Sequence, residues 1–241
     1  MGNMKVLCYH GSPGTCEDFV ELSKECAEAS FVPVARKGYP PPPTVVHKEG
    51  EKLALTEPTV VLGYSWGCVA ALRDVAQSPE NVSGLVLVAP FLGAEPVGAF
   101  KRFLLTNSFI GSFVIGMAAN GVVSKLFEKS CRPKEAPPAY LALREKLARF
   151  DVLSRAGLEK TDVGMDPKEA CDKVKSAAIP VLLIWGKQDA NDKSQVYAET
   201  VQNWLEPGTV VPIEDGGHAL LWTHTKELAQ HIKELIRTIS G

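Results

Sequence analysis

Six short runs of the chain are apolar at nearly every position. They are Lys5–Tyr9 (KVLCY), Phe31–Ala35 (FVPVA), Thr59–Gly63 (TVVLG), Gly84–Ala89 (GLVLVA), Pro180–Gly186 (PVLLIWG) and Gly208–Ile213 (GTVVPI). A strand with one wet face alternates apolar and polar positions, whereas a strand covered on both faces does not. The runs therefore predict parallel strands buried between helical layers.

Helical periodicity fills the gaps. Thr15 to Ala29 opens with Thr15 and Asp18 at capping-box spacing and places Phe19, Leu22, Ser23 and Cys26 on one face. Trp66 to Ala76 is apolar almost all round until Ser78-Pro79 stops it. Asn191 to Leu205 starts at an Asn-Asp cap and ends at Pro207-Gly208, and Thr225 to Ile239 repeats Leu228, Ile232, Leu235, Ile236 and Ile239. Alternating strands and helices give an α/β fold: a mostly parallel sheet of about six strands, flanked by helices and joined by right-handed crossovers. The alternation breaks between Phe91 and Ala178, which hold no strand-like run. This predicts a core of residues 1–90 and 179–241 with a helical cap insertion at 91–178. The four prolines Pro40 to Pro43 read as a stiff loop after a strand.

Composition narrows the function classes. The chain has 241 residues, 45% of them hydrophobic, with a net charge of −2 and no basic run, so nucleic acid is not an expected partner. Phe103 to Val123 runs 21 residues without a charge, long enough to span a bilayer. Thr106, Asn107, Ser108, Ser112 and Asn120 dilute it, and the reading goes against a membrane partner and toward a pair of apolar helices lining a cavity. The six cysteines show no CxxC pair and no metal-ligand spacing, so neither metal nor cofactor is expected. No charged and apolar leader pattern opens the chain, and Val6 stands where a myristoylation motif after Gly2 needs Ser or Thr. Cytoplasmic, reduced thiols are the expectation. Nothing in the sequence sets an oligomeric state.

Candidate chemistry centres on GYSWG, Gly63 to Gly67. A capping serine at a glycine-lined helix start would give the same letters, but here the pentapeptide follows the run TVVL and precedes the helical CVAALRDVA. A strand turning sharply into a helix lifts Ser65 off the sheet end as a nucleophile. A serine hydroxyl needs a base within hydrogen-bond reach. Of five histidines, His218 in EDGGH follows the last strand-like run, where two glycines allow its ring over the sheet end. The third partner is a carboxylate that orients the imidazole. Asp189, three residues beyond PVLLIWG, is the choice; Asp192 suits a helix cap better, and Asp215 is too close to His218 along the chain. Donors for a tetrahedral oxyanion are expected from the Trp66 N–H and, in the loop HGSPG after the first run, the Ser12 N–H.

With HGSPG, GYSWG, WGKQD and DGGH in that order, each after a strand-like run, the chain resembles the α/β-hydrolase superfamily in its capped serine-hydrolase form. The resemblance implies Ser65 as nucleophile, His218 as base, Asp189 as acid, and the Ser12 and Trp66 amides as oxyanion hole. Residues 91–178 would form the cap. The two-stranded N-terminal edge common in the family is absent, since the first run already leads into the oxyanion loop. Serine at the elbow implies an ester, thioester or amide as substrate, with carbon–carbon hydrolysis or perhydrolase chemistry as rarer alternatives, and the apolar cap favours a small hydrophobic ester or thioester. A non-catalytic small-molecule binding protein on the same fold is the competing class.

Overall fold

The computed structural model of the chain describes residues 3–93, 97–118, 124–161, 164–190 and 193–241. All six apolar runs become strands: β1 (Met4–Tyr9), β2 (Ala29–Pro33), β3 (Thr59–Tyr64), β4 (Val82–Val88), β5 (Val181–Gly186) and β6 (Thr209–Ile213). They form one parallel sheet in the order β2-β1-β3-β4-β5-β6. The chain starts one strand in from an edge, fills that edge with β2, then crosses back over β1 to add β3 to β6 on the other side. Where that reversal occurs, the loops after β1 and β3 are brought side by side.

Burial on both faces explains the missing alternation in the sequence. In β1, Leu7 and Tyr9 face one helical layer and Val6 and Cys8 the other; in β4, Leu85 and Leu87 oppose Val86 and Val88. The first layer consists of α2 (Gly67–Gln77), α8 (Pro167–Ser176) and α9 (Ser194–Leu205). The second consists of α1 (Val20–Glu25), α10 (Leu220–Thr223) and α11 (Thr225–Ser240). The helix expected over Thr15 to Ala29 is shorter. A 3-10 turn over Cys16–Phe19 leads into α1, and Ala29 already pairs with Met4 in the sheet. Sheet pairing of β2 at the edge overrides the helical periodicity that continues past Cys26.

Between β4 and α8 lie α3 (Ala99–Thr106), α4 (Ser108–Ala118), α5 (Ser124–Cys131), α6 (Pro138–Leu147) and α7 (Phe150–Glu159). The uncharged stretch Phe103 to Val123 is thus cut at Asn107, and its last five residues lie outside the described ones. Among the described residues no helix is long and apolar enough to cross a membrane. The apolar side chains of α3 and α4 do not all turn inward: Phe100, Phe109 and Phe113 are exposed at 75%, 88% and 70%. Helix α8, grouped with the insertion on sequence, packs its Ala170, Cys171 and Val174 into the layer shared with α2 and α9.

Helix α11 shows how tightly the layers depend on burial. Leu228 and Ile232 are fully enclosed on its sheet-facing side. Replacing Ile232 with Ala removes three methyl(ene) groups from a site backed by strands. It should cost about 2–5 kcal/mol, read as a lowered urea midpoint with an unchanged slope.

Candidate active site

Ser65 sits one residue past β3 and two before α2, with φ of +54°. A side chain in that left-handed region costs about 1–2 kcal/mol, so the surroundings must impose it. They do so through backbone bonds. The Ser65 N–H donates to Val88 O at 2.9 Å, and its own carbonyl accepts from Cys68 N at 3.0 Å and Phe91 N at 3.3 Å. The flanking glycines are steric requirements. A Cβ on Gly63 would lie 2.7 Å from Cys68 Cα, and one on Gly67 only 2.1 Å from Tyr9 O. Only without those carbons do β1, β3 and α2 close on one another around the turn.

His218 arrives from the loop after β6. Its Nε2 lies 2.9 Å from Ser65 Oγ and its Nδ1 2.6 Å from Asp189 Oδ2. The Tyr64 hydroxyl donates to the His218 carbonyl at 3.1 Å, so the residue before the serine also steadies the loop that carries the ring. The loops after β5 and β6 are joined as well: Gln188 N donates to Gly216 O at 2.9 Å, and a Cβ on Gly186 would collide with that same carbonyl. Asp189 is nearly enclosed, with 3% of its side chain exposed, whereas the His218 side chain keeps 21%. A serine hydroxyl, an imidazole and a buried carboxylate bonded in series can pass a proton from the oxygen to the ring while the carboxylate steadies the charge formed.

The other acids and histidines weighed on sequence fall elsewhere. Asp215 is exposed and bonds Lys134 and His224, whose presence holds its carboxyl below the usual range. His231 pairs with Glu234 at 3.3 Å, and His47 lies 3.7 Å from Asp74. Asp192 is outside the described residues.

The HGSPG loop does lie against the serine: a Cβ on Gly11 would sit 3.0 Å from Ser65 Cβ. Trp66 is buried at the start of α2, its ring 5.3 Å from Phe91, which in turn lies 4.7 Å from Tyr197. Among the described residues, no protein acceptor takes up the Ser12 or Trp66 N–H.

Charges that sequence reading passed over surround this loop. Arg144 of α6 is buried, pairs with Asp18, and donates to Pro13 O at 3.3 Å. Asp18 also accepts from Thr15 N at 3.0 Å and from the Trp222 indole at 3.2 Å. A lone arginine in a helical stretch carries no signal of such a role; the one clue was Asp18 at capping-box spacing. His10 is enclosed beneath the loop, its Nδ1–H donating to Gly11 O at 2.9 Å.

The family follows from a sequence match across this whole frame. A model of the alpha/beta hydrolase family matches residues 6–231. The chain belongs to the alpha/beta hydrolase family. Solved structures of similar fold include an esterase from Thermogutta terrifontis (18% identity, 98% of this chain and 90% of that one, TM-score 0.68). A bromoperoxidase from Bacillus anthracis (13%, 98% and 92%, 0.69) and a carboxylesterase of Nitrososphaera gargenis (11%, 99% and 91%, 0.66) are similar to the same extent. No curated protein matches the chain by sequence. The parallel sheet flanked by helices is the alpha/beta hydrolase fold, with six strands among the described residues and β1 leading straight into HGSPG.

Enclosure of His10 in this alpha/beta hydrolase has a pH consequence. Burial, aided by the charge of Arg36, lowers its pKa from 6.5 to about 3. The unfolded chain takes up a proton at His10 that the folded chain refuses, so stability is full above pH 6.5 and falls as pH drops toward 3. Urea midpoints at pH 7, 5 and 4 should decline, and less steeply in His10→Asn.

Proposed function

We propose that the chain is a serine hydrolase that cleaves a small hydrophobic ester or thioester through an acyl-enzyme. The observation that carries this reading is the unbroken series Ser65 Oγ, His218 Nε2, His218 Nδ1, Asp189 Oδ2, at 2.9 and 2.6 Å, on a serine with φ of +54°. In the first half-reaction Ser65 Oγ attacks the acyl carbonyl carbon as its proton moves to His218 Nε2. Asp189 accepts from Nδ1–H, which fixes the tautomer that leaves Nε2 free to take the proton. The carbonyl oxygen becomes an oxyanion facing the N–H groups of Ser12 and Trp66. Removing one such donor elsewhere costs about 3–4 kcal/mol. Collapse expels the alcohol or thiol, which takes the proton from His218 and leaves the acyl group on Ser65. In the second half, His218 draws a proton from water, hydroxide adds to the acyl carbon, and Ser65 leaves with the proton restored.

The esterase and carboxylesterase among the structurally similar proteins agree with an ester substrate. Six cysteines are free thiols, and burial pushes Cys26 and Cys131 up to about 11, which keeps them poor competitors for an acyl group.

A fluorophosphonate should label the purified chain on Ser65, and a screen of p-nitrophenyl esters and acyl thioesters of graded length should find turnover. Ser65→Ala should abolish both signals. Asp189→Asn should retain the fold and lose roughly 10⁴ in kcat, because the amide favours the wrong imidazole tautomer. Ester turnover that survives Ser65→Ala unchanged excludes the assignment.

A further inference from the structure

The rim of the site opposite His218 is built around a buried cation that the proposed mechanism does not use. Arg36 lies in the loop after β2 with its side chain 0% exposed. Its Nε donates to Glu49 at 3.2 Å and its Nη2 to Glu159, the last residue of α7, at 3.1 Å. Those two carboxylates already balance the charge, and they hold the guanidinium protonated against the effect of burial. Yet Nη1 turns the other way and donates to His10 O at 2.9 Å and Gly11 O at 3.3 Å. Tyr39 completes the link. Its hydroxyl donates to Glu159 Oε1 at 2.6 Å and accepts from Ser12 Oγ at 2.9 Å.

The geometry of one peptide unit makes these contacts consequential. The Gly11 carbonyl and the Ser12 N–H belong to the same plane and, in a trans peptide, point in opposite directions. Whatever fixes the carbonyl also fixes the direction of the N–H. Here the carbonyl is held by Arg36 and by His10 Nδ1–H, while Gly11 itself is pressed on Ser65 and the Ser12 N–H has no protein acceptor among the described residues. A cationic donor on the carbonyl oxygen also polarises the peptide and strengthens its N–H as a donor.

The structure assigns Arg36 a positioning role: through the Gly11 carbonyl it aims the Ser12 N–H at the developing oxyanion, and through Glu159 and Tyr39 it makes that aim depend on where helix α7 sits. The inference rests on the serine-hydrolase reading of Ser65. It adds that the helical insertion between β4 and β5 tunes catalysis from the oxyanion side. Displacing α7 would release Tyr39 and one arm of Arg36 together.

The test uses the full chain with Arg36→Gln, Arg36→Lys and Tyr39→Phe. Arg73→Gln serves as control, since Arg73 bonds the same Glu49 at 3.1 Å but touches no carbonyl of the loop. On p-nitrophenyl acetate, Arg36→Gln should lower kcat about tenfold to a hundredfold with KM within about twofold, and fluorophosphonate labelling should slow in step. Arg36→Lys should recover part of the loss, Tyr39→Phe should lower kcat about threefold to tenfold, and Arg73→Gln should leave kcat within about twofold. Folded Arg36→Gln and Tyr39→Phe proteins with wild-type kcat would overturn the inference and leave Ser65 as nucleophile intact. So would a loss confined to KM, or an equal kcat loss in Arg73→Gln. If Arg36→Gln does not fold, Tyr39→Phe decides by the same criterion. Wild-type chain that is neither labelled nor active sinks the serine-hydrolase reading itself, and the positioning role with it.

Discussion

Ser65 keeps a left-handed backbone because three strands and a helix meet at its peptide with no room for another arrangement. The Val88 carbonyl holds its N–H, Cys68 and Phe91 hold its carbonyl, and Gly63 and Gly67 remove the carbons that would keep α2 from β3 and from the end of β1. Local strain of about 1–2 kcal/mol is set against a fully enclosed sheet, so the fold can sustain it. Everything at the site is measured from that turn. The HGSPG loop lies against Ser65 because β1 pairs with β3, and His218 reaches it because β5 and β6 extend the same sheet.

Around this turn, buried charges are paired in two clusters. Arg144, Asp18 and Trp222 tie α6 to the segment after HGSPG, while Arg36, Glu49, Glu159 and Tyr39 tie α7 to the loop itself. Removing a charged partner such as Asp18 or Arg144 leaves an uncompensated buried charge, typically a loss of about 3–5 kcal/mol. The insertion is therefore anchored by directional contacts at α6 and α7, in contrast to α3 and α4, where several phenylalanines remain in solvent.

Most of the frame was legible in the sequence. Strands covered on both faces write themselves as unbroken apolar runs, so all six were found within a few residues, including the order that puts Ser65, Asp189 and His218 beyond strand ends. The helix at Thr15 to Ala29 was overestimated because periodicity does not register that Ala29 is claimed by the sheet edge. The long uncharged stretch illustrates the opposite limit. Its polar residues diluted the apolar signal, and the structure breaks it at Asn107.

The sequence by itself determined the alternation of strands and helices, the elbow glycines, and the three side chains now hydrogen-bonded in series, because each follows a local pattern of period or spacing. Only the tertiary structure brings Asp189 onto the His218 ring while Asp215 turns to His224, and sets Arg36, Tyr39 and Glu159 beside Ser12. Those pairings join positions 29, 27 and 123 residues apart. No local period encodes a contact of that separation. It arises from how the sheet order returns distant loops to one edge.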